Sequence, residues 1–324
     1  MKCVVTGGCG FLGSHLVEKL VKENHKVTVI DNFSTGNKSN LSNLSVKIVR
    51  SDINNTKKIK KYFKNVDWVF HLAALADIVP SIENPSKYFY SNVVGTLNIL
   101  ELCKKTKIKK FVYIASSSCY GIAKKYPTKE NSEIKPEYPY ALTKYLGEEI
   151  ALHWSKVYKI PLISLRCFNI YGPRSRTSGA YGAVIGVFLA QMLNNKPLTI
   201  VGSGKQKRDF TYVTDVVDAI IIAARSKVKN KIFNIGSGNT ISVNKLAKLI
   251  GGKKIKIPKR PGEPFITYAD ISKIKKELNW KPKINIKYGI EKVMAEKNFW
   301  KQAPVWTKKK IKVATKSWFK YLSK

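Results

Sequence analysis

The stretch Cys3-Val4-Val5-Thr6-Gly7-Gly8-Cys9-Gly10-Phe11-Leu12-Gly13 decides the fold. Cys3 to Thr6 is a short apolar run, the pattern of a buried strand. Three spaced glycines follow, and beyond them Leu16, Leu20 and Val21 fall on one face of a helix. A second apolar run, Lys26-Val27-Thr28-Val29-Ile30, ends at Asp31. The order is strand, glycine turn, helix, strand, acid, all within about thirty residues.

Each part of that unit has a physical task. Gly7 permits the tight turn, Gly10 lets the backbone approach a pyrophosphate, and Gly13 allows helix and strand to pack closely. The helix then opens at Phe11 and Leu12, where its first N–H groups have no partner in the helix and suit phosphate oxygens. Asp31 stands where a carboxylate would accept hydrogen bonds from a ribose diol and repel a 2′-phosphate. The expected cofactor is therefore NAD rather than NADP.

At 324 residues the chain predicts one large α/β domain or two domains sharing a cleft. Its 59 Lys+Arg against 21 Asp+Glu give a formal net charge of +38, which raises the question of a polyanion partner. Only seven of the basic residues are arginine, and the lysines are scattered in pairs such as Lys57-Lys58, Lys124-Lys125 and Lys253-Lys254. Readers of nucleic acid lean on arginine's planar fork, so this charge reads as solvated surface and no nucleic-acid partner is expected. Five scattered cysteines lack CxxC or His-paired spacing, so neither a disulfide framework nor a metal site is indicated. No apolar run reaches the ~18–20 residues of a membrane span. The chain runs from Met1-Lys2 straight into a strand, so no signal peptide is expected. A cytoplasmic location and no membrane partner are expected.

Further along, Trp68-Val69-Phe70-His71-Leu72 runs into Ala73-Ala74, small residues that leave space for a flat ligand at the mouth of a parallel sheet. His71 is expected to pack between strand and helix. A long helix is predicted from about residue 85 to 105. The strand Phe111-Val112-Tyr113-Ile114-Ala115 ends in Ser116-Ser117-Ser118. Downstream, Tyr140 and Lys144 lie four apart on one face of a helix, so a phenol and an ammonium can serve one point. The ammonium, with a bound nicotinamide cation, would favour the phenolate and draw the phenol down from its usual ~10. Arg208 and Arg260 stand out in an arginine-poor chain as candidate forks for a diphosphate. Asp215 is expected to cap a helix over residues 215–224.

Taken together, Thr6-Gly7-Gly8-Cys9-Gly10-Phe11-Leu12-Gly13, the serine strand end and Tyr138-Pro139-Tyr140-Ala141-Leu142-Thr143-Lys144 resemble the extended short-chain dehydrogenase/reductase family. Within it the likeness is to the NAD-dependent nucleotide-sugar epimerases and dehydratases, nearest to UDP-sugar 4-epimerases. The resemblance implies a doubly wound parallel sheet with a smaller α/β lobe: residues 1–170, re-entered near 211–236, for NAD, and 171–210 with 237–324 for the nucleotide sugar. It implies that Asn32, Ser34 and Gly36 surround the adenosine ribose and that Asp52 and Ile53 meet the adenine. Leu72, Ala73 and Ala74 would border the nicotinamide ribose, with Asn92 supporting the cofactor loops. Ser116, Tyr140 and Lys144 would be catalytic, Ser117 being the neighbouring register for the serine and a further substrate contact.

Asn169, in Phe168-Asn169-Ile170-Tyr171-Gly172-Pro173-Arg174, would meet the sugar diphosphate with Arg208 and Arg260. Glu263 would lie near the uridine ribose. The segment Gly179-Ala180-Tyr181-Gly182-Ala183-Val184-Ile185 would open a phosphate-facing helix, with Val184 at the substrate. The family's sugar dehydratases carry Asp-Glu directly after the catalytic Ser or Thr, and its decarboxylases keep the glutamate. Here Ser117 and Ser118 stand there, which favours 4-epimerisation of UDP-glucose/galactose or of UDP-N-acetylhexosamines. Thr267 marks the wall beside the sugar's 2-substituent, and its small side chain leans toward the N-acetyl forms. A slip of one residue would put Tyr268 there. A homodimer through the helices around 85–105 and 138–158 is implied by the resemblance. The tail aromatics Trp300, Trp306, Trp318 and Phe319 are expected to pack against the substrate lobe.

Overall fold

The computed structural model describes residues 1–177 and 184–323. The chain opens with β1 (Lys2–Thr6), α1 (Phe11–Lys22), β2 (Lys26–Asp31), β3 (Lys47–Arg50), α2 (Thr56–Ile59) and β4 (Trp68–His71). Then come α3 (Ile78–Glu83), α4 (Pro85–Phe89), α5 (Gly95–Lys104), β5 (Lys110–Ser116), α6 (Pro139–Tyr158) and β6 (Leu162–Cys167). The middle continues through β7 (Asn169–Tyr171), α7 (Val184–Leu193), β8 (Leu198–Val201), β9 (Lys207–Arg208), β10 (Phe210–Tyr212), α8 (Val213–Arg225) and β11 (Lys231–Ile235). The remainder holds β12 (Ile241–Ser242), α9 (Val243–Ile250), β13 (Lys254–Ile257), α10 (Ser272–Leu278), α11 (Ile286–Met294), α12 (Lys297–Lys301), α13 (Lys308–Ala314) and α14 (Lys316–Leu322).

Seven strands form one parallel sheet in the order β11-β6-β5-β4-β1-β2-β3. Every residue of β4 and β6 is buried, as expected of strands covered by helices on both faces. One face packs on α1 and α8 through Leu16, Val17, Leu20, Val216 and Ile220, and the other on α5 and α6 through Ile99, Leu100, Cys103 and Ala151. This is a Rossmann-type doubly wound α/β fold. The strand order reverses between β1 and β4, so a crevice opens at their carboxyl ends, where such sheets bind ligands. A third apolar cluster joins α7, β8, α9 and α11 around Phe188, Leu198, Leu246 and Ile290, with Trp300 fully buried against Gly186. It forms the opposite wall of the site.

Gly13 shows why the first turn is glycine-rich: a Cβ there would stand 2.2 Å from the Gly7 carbonyl oxygen. Gly7 itself sits at φ +71°, a conformation that side chains resist. Two expectations need correction. The helix expected over 85–105 is interrupted by a π-turn at Tyr90–Val94, which carries Asn92 inward. Asp215 does not cap its helix: α8 starts at Val213, and the buried Asp215 carboxylate accepts the Ile284 N–H at 2.9 Å, tethering a loop distant in sequence. Its acid is used to hold the third cluster against the sheet.

Candidate active site

A cavity of about 440 Å³ runs along the crevice, lined by the glycine turn, the first turn of α1 and the ends of β2 and β4. Gly7, Gly10, Phe11, Leu12, Asp31, Asn32, Ser34, Asp52, Ile53, Leu72, Ala73 and Ala74 all face it. Helix α1 has Gly10 at its N-cap, with no side-chain cap and no acid in the first turn, so its leading N–H groups are left for an anion. Asp31 is buried, and its two oxygens accept the Cys9 N–H at 2.9 Å and the Phe33 N–H at 2.8 Å. Burial pushes that carboxyl above the usual range, with the two N–H groups opposing. Asn32 donates to Asp52 at 2.7 Å, joining the loops after β2 and β3. These groups fit a dinucleotide: uncapped N–H groups for phosphates and a fixed carboxylate for a ribose diol.

Two expected cofactor residues stand behind the lining. A Cβ on Gly36 would lie 3.0 Å from an Asp31 oxygen, so the glycine makes room for that carboxylate. Asn92 is buried; its amide exchanges hydrogen bonds with the Leu75 N–H (2.8 Å) and carbonyl (3.0 Å) and donates to Thr143 (3.1 Å). It fixes the loop after β4 against α6. His71 lies between Thr6 at 2.7 Å and Thr96 at 3.0 Å, and burial holds it down to about 3, so it is a neutral packing residue.

A second cavity of about 370 Å³ adjoins the first. Ala76, Asp77, Tyr140 and Ile170 line both, which places the Tyr140 ring at their junction. Its hydroxyl donates to Ser116 Oγ at 3.2 Å, and Ser116 Oγ meets Ser118 Oγ at 2.8 Å. Ser81 on α3 receives the Tyr140 backbone N–H at 3.1 Å, tying the first turn of α6 to the site. One turn on, buried Lys144 donates to the Ile114 carbonyl at 2.6 Å and lies 4.5 Å from the centroid of the Tyr113 ring. Burial draws Lys144 down to about 8, with Glu148 opposing.

The expected drop in the Tyr140 phenol is not what the protein's own groups produce. Burial pushes it up, and the Ser116 hydrogen bond only partly opposes that. The Lys144 ammonium is spent on a strand carbonyl rather than on the phenol.

The other end of the second cavity is built by Val184, Phe188, Thr199 and Val201. Asn169, Arg208, Arg260, Glu263 and Thr267 face the same space. Glu263 bridges both arginines, 2.7 Å from Arg208 and 3.9 Å from Arg260, so the residue expected beside a ribose also orients the two cations. Thr267 donates to Asn169 at 2.9 Å. Thr267 lines this cavity and Tyr268 does not; the Tyr268 carbonyl accepts the Thr128 N–H at 2.7 Å. Gly179 to Ala183 lie outside the described residues.

With this geometry in place, the comparisons with known proteins are specific. The model of the NAD dependent epimerase/dehydratase family matches residues 3–236. The chain belongs to this family. It is thus an enzyme of an NAD-dependent family, with NAD as cofactor. A putative UDP-glucose 4-epimerase of Methanocaldococcus jannaschii is 42% identical over 299 residues, covering 90% of this chain and 96% of that protein. The UDP-glucuronic acid decarboxylase 1 of Arabidopsis thaliana is 33% identical, covering 91% of this chain and 69% of that protein. Among solved structures, the UDP-glucose 4-epimerase of Thermotoga maritima with UDP-glucose has a TM-score of 0.87 at 33% identity, covering 91% of this chain and 98% of that one.

Several groups of this epimerase/dehydratase site were not singled out from sequence. Ser118, rather than Ser117, bonds the Ser116 hydroxyl. Tyr138 stacks on Tyr140, with centroids 6.3 Å apart and planes 8° from parallel. Asp77, shared by both cavities, pairs with Arg176. Ile311 and Trp318, from the far end of the chain, line the second cavity. The tyrosine doublet and the triple serine were visible signals, and Trp318 was expected only to pack against the substrate lobe; nothing local marked Asp77, Arg176 or Ile311.

Proposed function

We propose that the chain is a UDP-hexose 4-epimerase, with Ser116, Tyr140 and Lys144 as its catalytic residues. The observation that carries this reading is the position of the Tyr140 hydroxyl, at the junction of the two cavities and bonded to Ser116. The glycine turn with Phe11 and Leu12 would hold the NAD diphosphate, Asp31, Asn32, Ser34 and Gly36 the adenosine ribose, and Asp52 and Ile53 the adenine. Leu72, Ala73, Ala74 and Lys144 would hold the nicotinamide ribose. Residues 1–170 with 211–236 form the cofactor part in this reading, and 171–210 with 237–324 the sugar-nucleotide part.

The chemistry that NAD supplies when bound is reversible hydride acceptance, together with a positive ring charge that favours the neighbouring phenolate. Tyr140 Oη takes the proton of the sugar 4-hydroxyl and later returns it to the 4-keto oxygen. Ser116 Oγ, held by Ser118, orients that oxygen. Arg208, Arg260 and Asn169 would grip the diphosphate while the 4-keto sugar turns, so that its other face is presented to the nicotinamide pocket and its 4-keto oxygen comes back to the same phenol. Val184 and Glu263 are assigned to the nucleoside end. Thr267 leaves room for a 2-acetamido group, so both plain and N-acetylated UDP-hexoses fit.

Decarboxylase and dehydratase readings are disfavoured by one feature: Ser118 stands where the decarboxylases keep a glutamate, and Ser117-Ser118 where the dehydratases carry the Asp-Glu pair that removes water from carbons 5 and 6. Exposed Phe89, Tyr90, Leu142 and Val157 on the helices around 85–105 and 138–158 support a homodimer. Five buried free thiols agree with a reducing, cytoplasmic location, and no helix of the described residues is long and apolar enough to cross a membrane. The test is incubation with UDP-glucose, UDP-galactose, UDP-glucuronate and UDP-N-acetylglucosamine, with products resolved by NMR. Interconversion of carbon-4 epimers without NADH build-up supports the reading; release of CO₂ or accumulation of NADH overturns it.

A further inference from the structure

Helices α13 and α14 carry six exposed lysines and no residue of any motif, yet they reach the second cavity. Ile311 and Trp318 both line it, and both are buried, at 5% and 2% exposure. The route of the tail explains how. Buried Gln191 on α7 donates to the Trp306 carbonyl at 2.6 Å, which anchors the segment beside Thr199 at the nucleoside end. At the other end, Ser317 donates to Glu83 on α3 at 2.8 Å, while the Trp318 indole N–H donates to the Pro261 carbonyl at 2.6 Å. α14 therefore bridges the helix after β4, on the cofactor side, and the loop carrying Arg260, on the substrate side.

Resting on the epimerase reading above, we infer that the tail is a wall of the sugar-nucleotide cavity and that Trp318 is a positioning residue for its phosphate–hexose half. With its N–H bonded to Pro261, the indole has only its apolar face and edge to offer. That ring lies 6.1 Å from Tyr138, itself stacked on Tyr140. The Arg260 guanidinium carbon lies 5.9 Å from the indole centroid. Trp318 thus touches the neighbours of both the reacting end and the diphosphate end. Removing it takes away the ring beside the Arg260 guanidinium and opens the cavity next to Tyr138, while Thr199 and Val201 at the nucleoside end keep their places.

The test uses the full-length, NAD-loaded protein. Calorimetry reads the affinities of UMP and UDP-glucose for wild type, Trp318→Ala and Trp318→Phe, with bound NAD and melting temperature recorded for each. Expected for Trp318→Ala is a loss in UDP-glucose affinity of roughly tenfold or more, as for a buried aromatic anchor. UMP affinity should stay within about twofold, KM should rise far more than kcat falls, and Trp318→Phe should recover part of the loss. In the wild type, UDP-glucose should slow amide exchange across residues 307–323. Unchanged UDP-glucose affinity in Trp318→Ala overturns the inference, as does a tail whose exchange ignores UDP-glucose, which settles the matter even if the alanine variant fails to fold. Binding without turnover in the wild type would instead defeat the epimerase reading and leave the wall to be judged on affinity alone.

Discussion

Tyr140 is one phenol serving two cavities, and its surroundings set what it can do. Burial alone favours the neutral form, and Ser116 accepts its proton in a hydrogen bond. A proton carrier at that point needs the hydroxyl and little else from the side chain. Tyr140→Phe should therefore keep the fold and NAD content while lowering kcat by ~10²–10⁴-fold; steady-state assays on the NAD-loaded variant check this. Thr267 sets the neighbouring wall. Thr267→Tyr should cut kcat/KM for a UDP-N-acetylhexosamine at least ~10-fold while sparing UDP-glucose, because a phenol ring would fill the space of the acetamido group. These residues were legible in sequence because short spacings place them: Tyr140 and Lys144 share a helix face, and Asp31 closes a strand. Asp215 was misread for the same reason, since its partner at Ile284 is brought near only by the fold. Ser118 and Trp318 act through space, and no spacing rule reaches them.

Helix α6 carries Tyr140 and Lys144, so its seating decides the geometry of both. The anchor is Glu148, one turn beyond Lys144, almost fully buried and paired with Arg166 on β6 through contacts of 2.8 and 2.7 Å. Ser164 donates to the same carboxylate, and the Tyr120 hydroxyl accepts from Arg166 at 3.0 Å. Removing one partner strands a buried charge. Glu148→Ala should cost about 3–5 kcal/mol of stability, measured by denaturant unfolding, and should lower kcat by loosening α6. The elements themselves were readable, since apolar runs mark the strands and a glycine turn follows the first of them. The π-turn that turns Asn92 inward was not, because its residues read as ordinary helix. Tertiary packing of the loop after β4 selects it.

Across the whole molecule, the sheet reversal opens the crevice proposed for NAD and the third apolar cluster supplies the opposite wall. The basic surface has a measurable consequence for an anionic substrate. With a formal charge of +38, attraction over long range is screened as salt rises, from a Debye length of ~30 Å at 0.01 M to ~10 Å at 0.1 M. Thus kcat/KM for a UDP-hexose should fall several-fold over that interval while kcat holds, which a salt series of initial rates would show. The most direct test of carbon-4 chemistry is NMR of UDP-glucose deuterated at carbon 4, incubated with the NAD-loaded enzyme. The expected result is UDP-galactose with the deuterium still on carbon 4. Label lost to solvent, or no galactose epimer formed from any of the UDP-hexoses, would contradict it.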